Sequence, residues 1–125
     1  MEQKFESEKR PIIKAKVNGQ YAYFLVDTGA SVGLIAEDKV KKFGLAYGRK
    51  YPGTLVGQGG EFDAPYFCNT PVEVGDRAMS QFLFADIDDV RYSIHKETGI
   101  TILGIIGYAQ LKMARLTITP DGLVY

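Results

Sequence analysis

Cysteine and histidine are nearly missing from this chain: one of each in 125 residues. A lone Cys68 makes no internal disulfide, and Cys68 with His95 is too small a set for a zinc site built from those ligands, so no metal and no cofactor is expected. An excess of charge of one sign is also lacking. Lys and Arg number 15 and Asp and Glu number 15, which removes the electrostatic footprint of a nucleic-acid or anionic-membrane binder. No apolar run approaches the length of a membrane span, and the opening "MEQKFESEKRP" is charged throughout, without the apolar centre of a secretory signal. A reducing, cytoplasmic setting is the expectation. Repeats, low-complexity tracts and linkers are absent, and 125 residues hold one modest core but not two lobes. One domain over residues 1–125 is expected.

What is present is mostly strand. In "PIIKAKVNGQYAYFLV", Ile13, Ala15 and Val17 alternate with Lys14 and Lys16, and Asn18-Gly19 then separates them from a second, aromatic-rich strand. Both turn residues tolerate the positive φ of a type I′ hairpin. The second strand stops alternating at Phe24, Leu25 and Val26, a pattern that predicts burial on both faces of a central strand. "AEDKVKKFG" predicts a short helix with Ala36, Val40 and Phe43 on one face, acids in its first turn and Gly44 at its end. "TLVGQGGEFDAPYF" predicts two β-prone runs joined across Gly57, Gly59 and Gly60. "PVEVGDRAMSQFLFADI" predicts strands about a Gly75-Asp76 turn. "ITILGIIGYAQLKMARLTITPDGLVY" predicts an apolar strand, Gly107, a helical turn near Tyr108 to Met113 and a hairpin at Pro120-Asp121-Gly122. The fold class expected is all-β, a closed or half-closed, mostly antiparallel barrel.

The lone acid at the end of the apolar run in "YFLVDTGASVGLI" needs a reason, because a carboxylate in low dielectric is disfavoured unless bonded or paired. A structural reason and a chemical one are both open. General acid–base chemistry needs one group to take a proton and another to give one. Two carboxylates held close together do both, since like charges at short range share one proton and titrate as a unit. Around Asp27, the Thr28 hydroxyl offers a bond between loops, Gly29 lets backbone N–H groups reach the carboxylate, and Ser31 offers a bond to its outer oxygen. Gly107 lets a neighbouring strand pack tightly beneath the loop.

"LVDTGAS" resembles the active-site loop of aspartic proteases, and "IIGYAQL" resembles that family's second signature, two aliphatics and a glycine before a short helix. "ILG" at Ile102 to Gly104 has the same pattern, and the helix that follows Gly107 favours "IIG". Between them "VGQGG" stands where the family keeps its flap. The order of these segments over nearly the whole chain is similar to the single-lobe, retropepsin-like branch, bacterial and retroviral. Ala109, after Tyr108, departs from the Asp or Asn of many relatives. The resemblance implies a closed acid-protease-like β-barrel with one or two short helices and a flap hairpin. It also implies Asp27 as the catalytic acid, Thr28, Gly29, Ala30 and Ser31 as its supporting loop, Val56, Gly57, Gln58, Gly59 and Gly60 as flap and substrate contacts, and Ile105, Ile106 and Gly107 as the second signature.

Only one Asp-Thr-Gly is present, so the second carboxylate is expected from another copy, delivered by a twofold axis. The expected partners are therefore a second subunit and an extended peptide bound across the cleft. The apolar ending Leu123, Val124, Tyr125 is expected as an edge strand that pairs across the dimer.

Simpler readings stand beside these. Asp27-Thr28-Gly29 by itself reads as a tight turn with a capping acid. Glu97-Thr98-Gly99 follows polar residues and is set aside as a second acid. The glycine-rich loop fails as a phosphate cradle, having no Lys-Ser/Thr and no helix after it. Cys68 and His95 lack a third partner for nucleophilic catalysis. The eight tyrosines are expected in the core and at an interface. Two functions of different class follow: a homodimeric aspartic endopeptidase, or a catalytically inactive domain of the same fold that serves in dimerisation or peptide binding.

Overall fold

The computed structural model describes residues 1–52, 55–57, 60–62 and 65–125. The strands are β1 (Glu2–Lys4), β2 (Ile12–Val17), β3 (Gln20–Val26), β4 (Leu34–Ala36), β5 (Tyr47–Lys50), β6 (Leu55–Gly57), β7 (Gly60–Phe62), β8 (Tyr66–Cys68), β9 (Val72–Val74), β10 (Arg77–Met79), β11 (Phe82–Ala85), β12 (Ile102–Ile106), β13 (Thr117–Thr119) and β14 (Gly122–Val124). A 3-10 turn at Glu37–Lys39 leads into α1 (Val40–Phe43), and α2 (Asp88–Thr98) and α3 (Tyr108–Ala114) flank β12 in the chain. Among the described residues, nine strands form one curled sheet in the order β10-β9-β2-β3-β12-β4-β11-β8-β5.

The centre of that sheet explains why the apolar runs do not alternate. β12 runs parallel to β3 on one side and antiparallel to β4 on the other. Phe24, Val26, Leu103 and Ile106 enter the main core, while Ile12, Ile102 and Ile105 pack with Ile94 in a second cluster. Successive residues thus find apolar cover on opposite faces, which is the burial pattern of a central strand. α2 supplies part of the outer cover through Ile94.

α2 is a helix that sequence patterning misses. Its one buried residue is Ile94, and Tyr92 is 70% exposed, so no apolar stripe marks it. Polar contacts fasten it instead. Arg91 donates from Nη1 to Asp38 Oδ1 at 3.2 Å and from Nη2 to Asp38 Oδ2 at 2.8 Å, and it also pairs with Asp88. The hydrogen-bonded Arg91 guanidinium holds the Asp38 carboxyl below the usual carboxylate range. At the other end of α2, Glu97 accepts from Arg10 Nε.

Other local expectations match the structure. Asn18 has φ +50° and Gly19 φ +79°, and Val17 pairs with Gln20 across the turn. Gly44 ends α1 with φ +63°. β13 and β14 flank Pro120-Asp121, with Thr119 opposite Gly122.

Two expectations are corrected. β14 is not an edge: it lies between β1 and β13 of its own chain, in a three-stranded sheet, and Leu123 is fully buried. The charged opening segment provides the covering strand, with Gln3 opposite Leu123. None of the eight tyrosines falls in the buried class: Tyr23 and Tyr125 are half-buried and pack against the two apolar clusters, and five of the others are exposed.

Asn18 joins two parts of this frame, since its Nδ2 donates to the carbonyls of Phe43 at 2.8 Å and Gly44 at 2.9 Å. Asn18→Ala loses both bonds and places a Cβ-only residue in the left-handed region. It is expected to lower stability by about 1–2 kcal/mol, read as a lower urea midpoint at unchanged slope.

Candidate active site

The Asp27 loop is built by backbone. β3 ends at Val26, whose N–H donates to Pro11 O at 2.8 Å. The next N–H, of Asp27, donates to Ile106 O at 2.9 Å, so the parallel register of β12 fixes where the acid emerges. The Ala30 N–H then closes a turn onto Asp27 O at 3.1 Å, and the Gly29 N–H donates to Asp27 Oδ1 at 2.9 Å. That last bond orients the carboxylate.

The second signature lies directly beneath. Tyr108 N–H donates to Ala30 O at 2.8 Å and Ala109 N–H to Ser31 O at 3.0 Å, tying the start of α3 to the loop. Gly107 makes this approach possible: a Cβ there would stand 2.7 Å from Gly33 N, 2.7 Å from Val32 C and 2.8 Å from Ala30 O. Gly104, the glycine of the competing "ILG", lies within β12 against Leu34 O and the Phe24 ring, so it is a packing position in the sheet.

A residue that sequence reading missed holds the far side. Gln110 is fully buried, and its Oε1 accepts from Gly33 N–H at 2.7 Å. Its Nε2 donates to Ser80 O at 3.2 Å and Gln81 O at 3.1 Å. One amide therefore satisfies three backbone groups from two segments. A glutamine in a short helix reads as solvent-facing, and the one available signal was its place beside buried Leu111, one turn after Gly107.

The structure brings together Asp27, Gly29, Ala30, Ser31, Ile106 and Gly107 by backbone contact. Ile105 faces the second apolar cluster, on the opposite side of the sheet from Ile106. Thr28 and Ser31 are exposed, and among the described residues neither hydroxyl bonds within the subunit, so the expected Ser31 bond to the carboxylate is not formed there. Asp27 itself is exposed: Val26 before it is buried and the acid projects beyond the apolar run, so the carboxylate does not sit in low dielectric within the subunit. A concavity of about 660 Å³ lies along Glu2, Lys4 to Pro11, Pro120 and Asp121, and Asp27 does not line it. Of the flap residues, Val56 pairs with Glu61 and Gly57 with Gly60 in an antiparallel β6–β7 ladder; Gln58 and Gly59 lie outside the described residues.

Other chemistries find no support in the geometry. Burial pushes the Cys68 thiol up, away from a reactive thiolate, and His95 stands exposed on α2. No group of three or more His, Cys, Asp and Glu is placed to hold a metal among the described residues. Nor is any helix among them long and apolar enough to cross a membrane.

A curled β sheet, a strand lodged between the two arms of an Asp-Thr-Gly loop and a short helix under that loop define the retropepsin-like fold. The chain belongs to the aspartyl protease family, whose description, "Aspartyl protease", matches residues 13–109. Among solved structures it is similar to EIAV protease complexed with the inhibitor HBY-793, with TM-score 0.62 and 22% identity over 92% of this chain and 97% of that one. It is also similar to a retropepsin-like aspartic protease from Rickettsia conorii, with TM-score 0.56 and 23% identity over 98% of this chain and 86% of that one.

Gln110→Leu keeps the volume and leaves the Gly33 N–H and two carbonyls without a partner. At about 1–3 kcal/mol for a buried unsatisfied group, the substitution is expected to cost about 2–4 kcal/mol, checked by chemical denaturation.

Proposed function

We propose that this chain is an aspartic endopeptidase that acts as a homodimer, in which Asp27 of each subunit supplies one of two paired carboxylates. The observation that carries this reading is the form of the loop: one exposed acid, held by Gly29 N–H and by the β12 backbone, presented at the end of a central strand with no second acid beside it in the same loop. Placed against its twin across a twofold axis, such a carboxylate shares a single proton. The ionised member takes a proton from water as the water attacks the peptide carbonyl, and the protonated member gives one to the carbonyl oxygen. In the collapse of the tetrahedral intermediate the acid that took the water's proton gives it to the leaving nitrogen while the other takes a hydroxyl proton, so the C–N bond breaks, the amine leaves and the pair again holds one proton. The pair titrates as a unit, and the rate follows apparent pKa values that belong to both acids together.

The surrounding residues take roles consistent with their positions. Gly29 and Ala30 hold the carboxylate and its turn. Thr28 and Ser31, whose hydroxyls are uncommitted within the subunit among the described residues, are available to the partner loop and to substrate. Ile105, Ile106 and Gly107 fix the height of the loop. The hairpin from Val56 to Gly60 serves as the flap, binding an extended peptide by backbone bonds and excluding water on closure. Residues 1–125 act as one domain, and no metal enters the reaction.

Asp27→Asn retains the Oδ1 that accepts from Gly29 and removes the charge. It is expected to lower cleavage of an unfolded protein substrate by about 10³-fold or more, with circular dichroism and the unfolding midpoint unchanged. Specific activity of the unaltered enzyme is expected to fall on dilution, because each centre needs two chains. An Asn variant as active as the parent would sink the endopeptidase reading and leave the binding-module alternative.

A further inference from the structure

Along the β2–β3 ladder the side chains of one face change character. Ile12 stands opposite Leu25 in the second apolar cluster, and further on Lys14 stands opposite Tyr23 and Lys16 opposite Tyr21. Lysines thus meet tyrosines where the apolar cover ends. Tyr21 is 63% exposed, and two ammonium groups lie over its ring, Lys14 Nζ at 4.4 Å and Lys16 Nζ at 5.3 Å from the centroid.

Tyr21 is shared by two hollows in this surface. One, of about 480 Å³, is lined by Lys14, Lys16 and Glu73 of β9, and the other, of about 240 Å³, by Tyr23 with Lys39 and Lys42 from the start and middle of the 3-10 and α1 turns. Four lysines and one acid line the two together. Among the described residues none of the four pairs with a carboxylate. Positive charge is therefore gathered locally in a chain whose total charge is zero, and its field reaches about a Debye length, roughly 8–10 Å, from the surface. Lys14 and Lys16 lie two residues apart on one face of β2, about 6.6 Å along the strand, the repeat of alternate side chains in any extended peptide.

We propose that this surface docks an extended acidic segment of a protein partner, with carboxylates at alternate positions of the segment over Lys14 and Lys16 and its intervening atoms on the Tyr21 ring. Lys39 and Lys42 take further acids of the same segment on the other side of Tyr21. A nucleic acid carries the same sign of charge, but a long polyanion running past the four lysines meets a chain whose 15 acids balance its 15 bases. A short acidic segment stays within the patch. Docking here does not rest on the endopeptidase reading: Tyr21 and Asp27 stand at opposite ends of β3, about 20 Å apart along the strand. Exposed ion pairs are individually weak, so the contact depends on several lysines together and on ionic strength.

Fluorescence anisotropy with a labelled peptide of alternating Glu and Ser tests the docking surface, beside the same peptide with Gln in place of Glu. The Glu peptide is expected to bind the full chain, less tightly as salt is raised from about 0.05 M to about 0.5 M, and the Gln peptide is expected not to bind. Lys14→Gln combined with Lys16→Gln is expected to weaken binding about tenfold. Lys112→Glu, at an exposed position on α3, lowers the net charge by the same amount and is expected to leave binding unchanged, with the circular dichroism spectrum kept in both variants. Asp27→Asn is expected to bind the peptide as the parent does, whatever its effect on cleavage, which separates this surface from the proposed chemistry. Equal binding of the Gln peptide, equal weakening by Lys112→Glu, or loss of binding in Asp27→Asn would overturn the docking surface. So would a single-stranded oligonucleotide of equal charge that binds more tightly and displaces the Glu peptide.

Discussion

The Asp27 loop and the start of α3 touch backbone to backbone, with Gly107 against Ala30, Val32 and Gly33. Proteins tolerate such contact where no Cβ intervenes and where the polar groups brought together are satisfied. Both conditions hold here. Gly107 and Gly33 remove the side chains, and Tyr108 N–H, Ala109 N–H, Asp27 N–H and the Gln110 amide bond the groups that meet. A loop fixed through its main chain leaves its side chains free. The carboxylate of Asp27 and the hydroxyls of Thr28 and Ser31 point outward from a rigid base, the arrangement a reacting group needs if its position is to be set before substrate arrives.

The same contact explains which parts of the molecule were legible in the sequence. Features with a backbone reason could be read: Asn18-Gly19 with positive φ in a two-residue turn, Gly44 at the end of α1, the unbroken apolar run into Asp27, and Gly107 before a helix. Features with a reason elsewhere in the chain could not. α2 has one buried side chain and is held by Arg91 to Asp38 and by Arg10 to Glu97, pairs far apart in sequence. Gln110 is a core residue only because Ser80, Gln81 and Gly33 converge on it. The covering of β14 by β1 depends on a charged segment that shows no apolar alternation, so Leu123 to Tyr125 reads as an open edge until the fold is known.

The closure of β14 bears on how folding and association relate. A terminal strand that waits for a partner would leave its backbone groups and Leu123 exposed in the free subunit, and folding would then depend on protein concentration. Here β1 and β13 satisfy those groups within one chain, Tyr125 N–H donates to Met1 O at 3.0 Å, and Leu123 joins the main core. β14 is thus closed within one chain, while the Asp27 loop holds a single acid.

That separation has a chemical consequence in the proposed dimer. A lone exposed carboxylate has no partner to share a proton with, so it lacks the protonated member that must protonate the peptide carbonyl. In that reading, hydrolysis depends on how often two subunits meet. The fold itself does not wait for that meeting, since its main core is built from fully buried side chains such as Phe24, Ile106 and Leu123. Under the proposed function, a subunit held by its own core therefore stays folded and inert until its concentration rises.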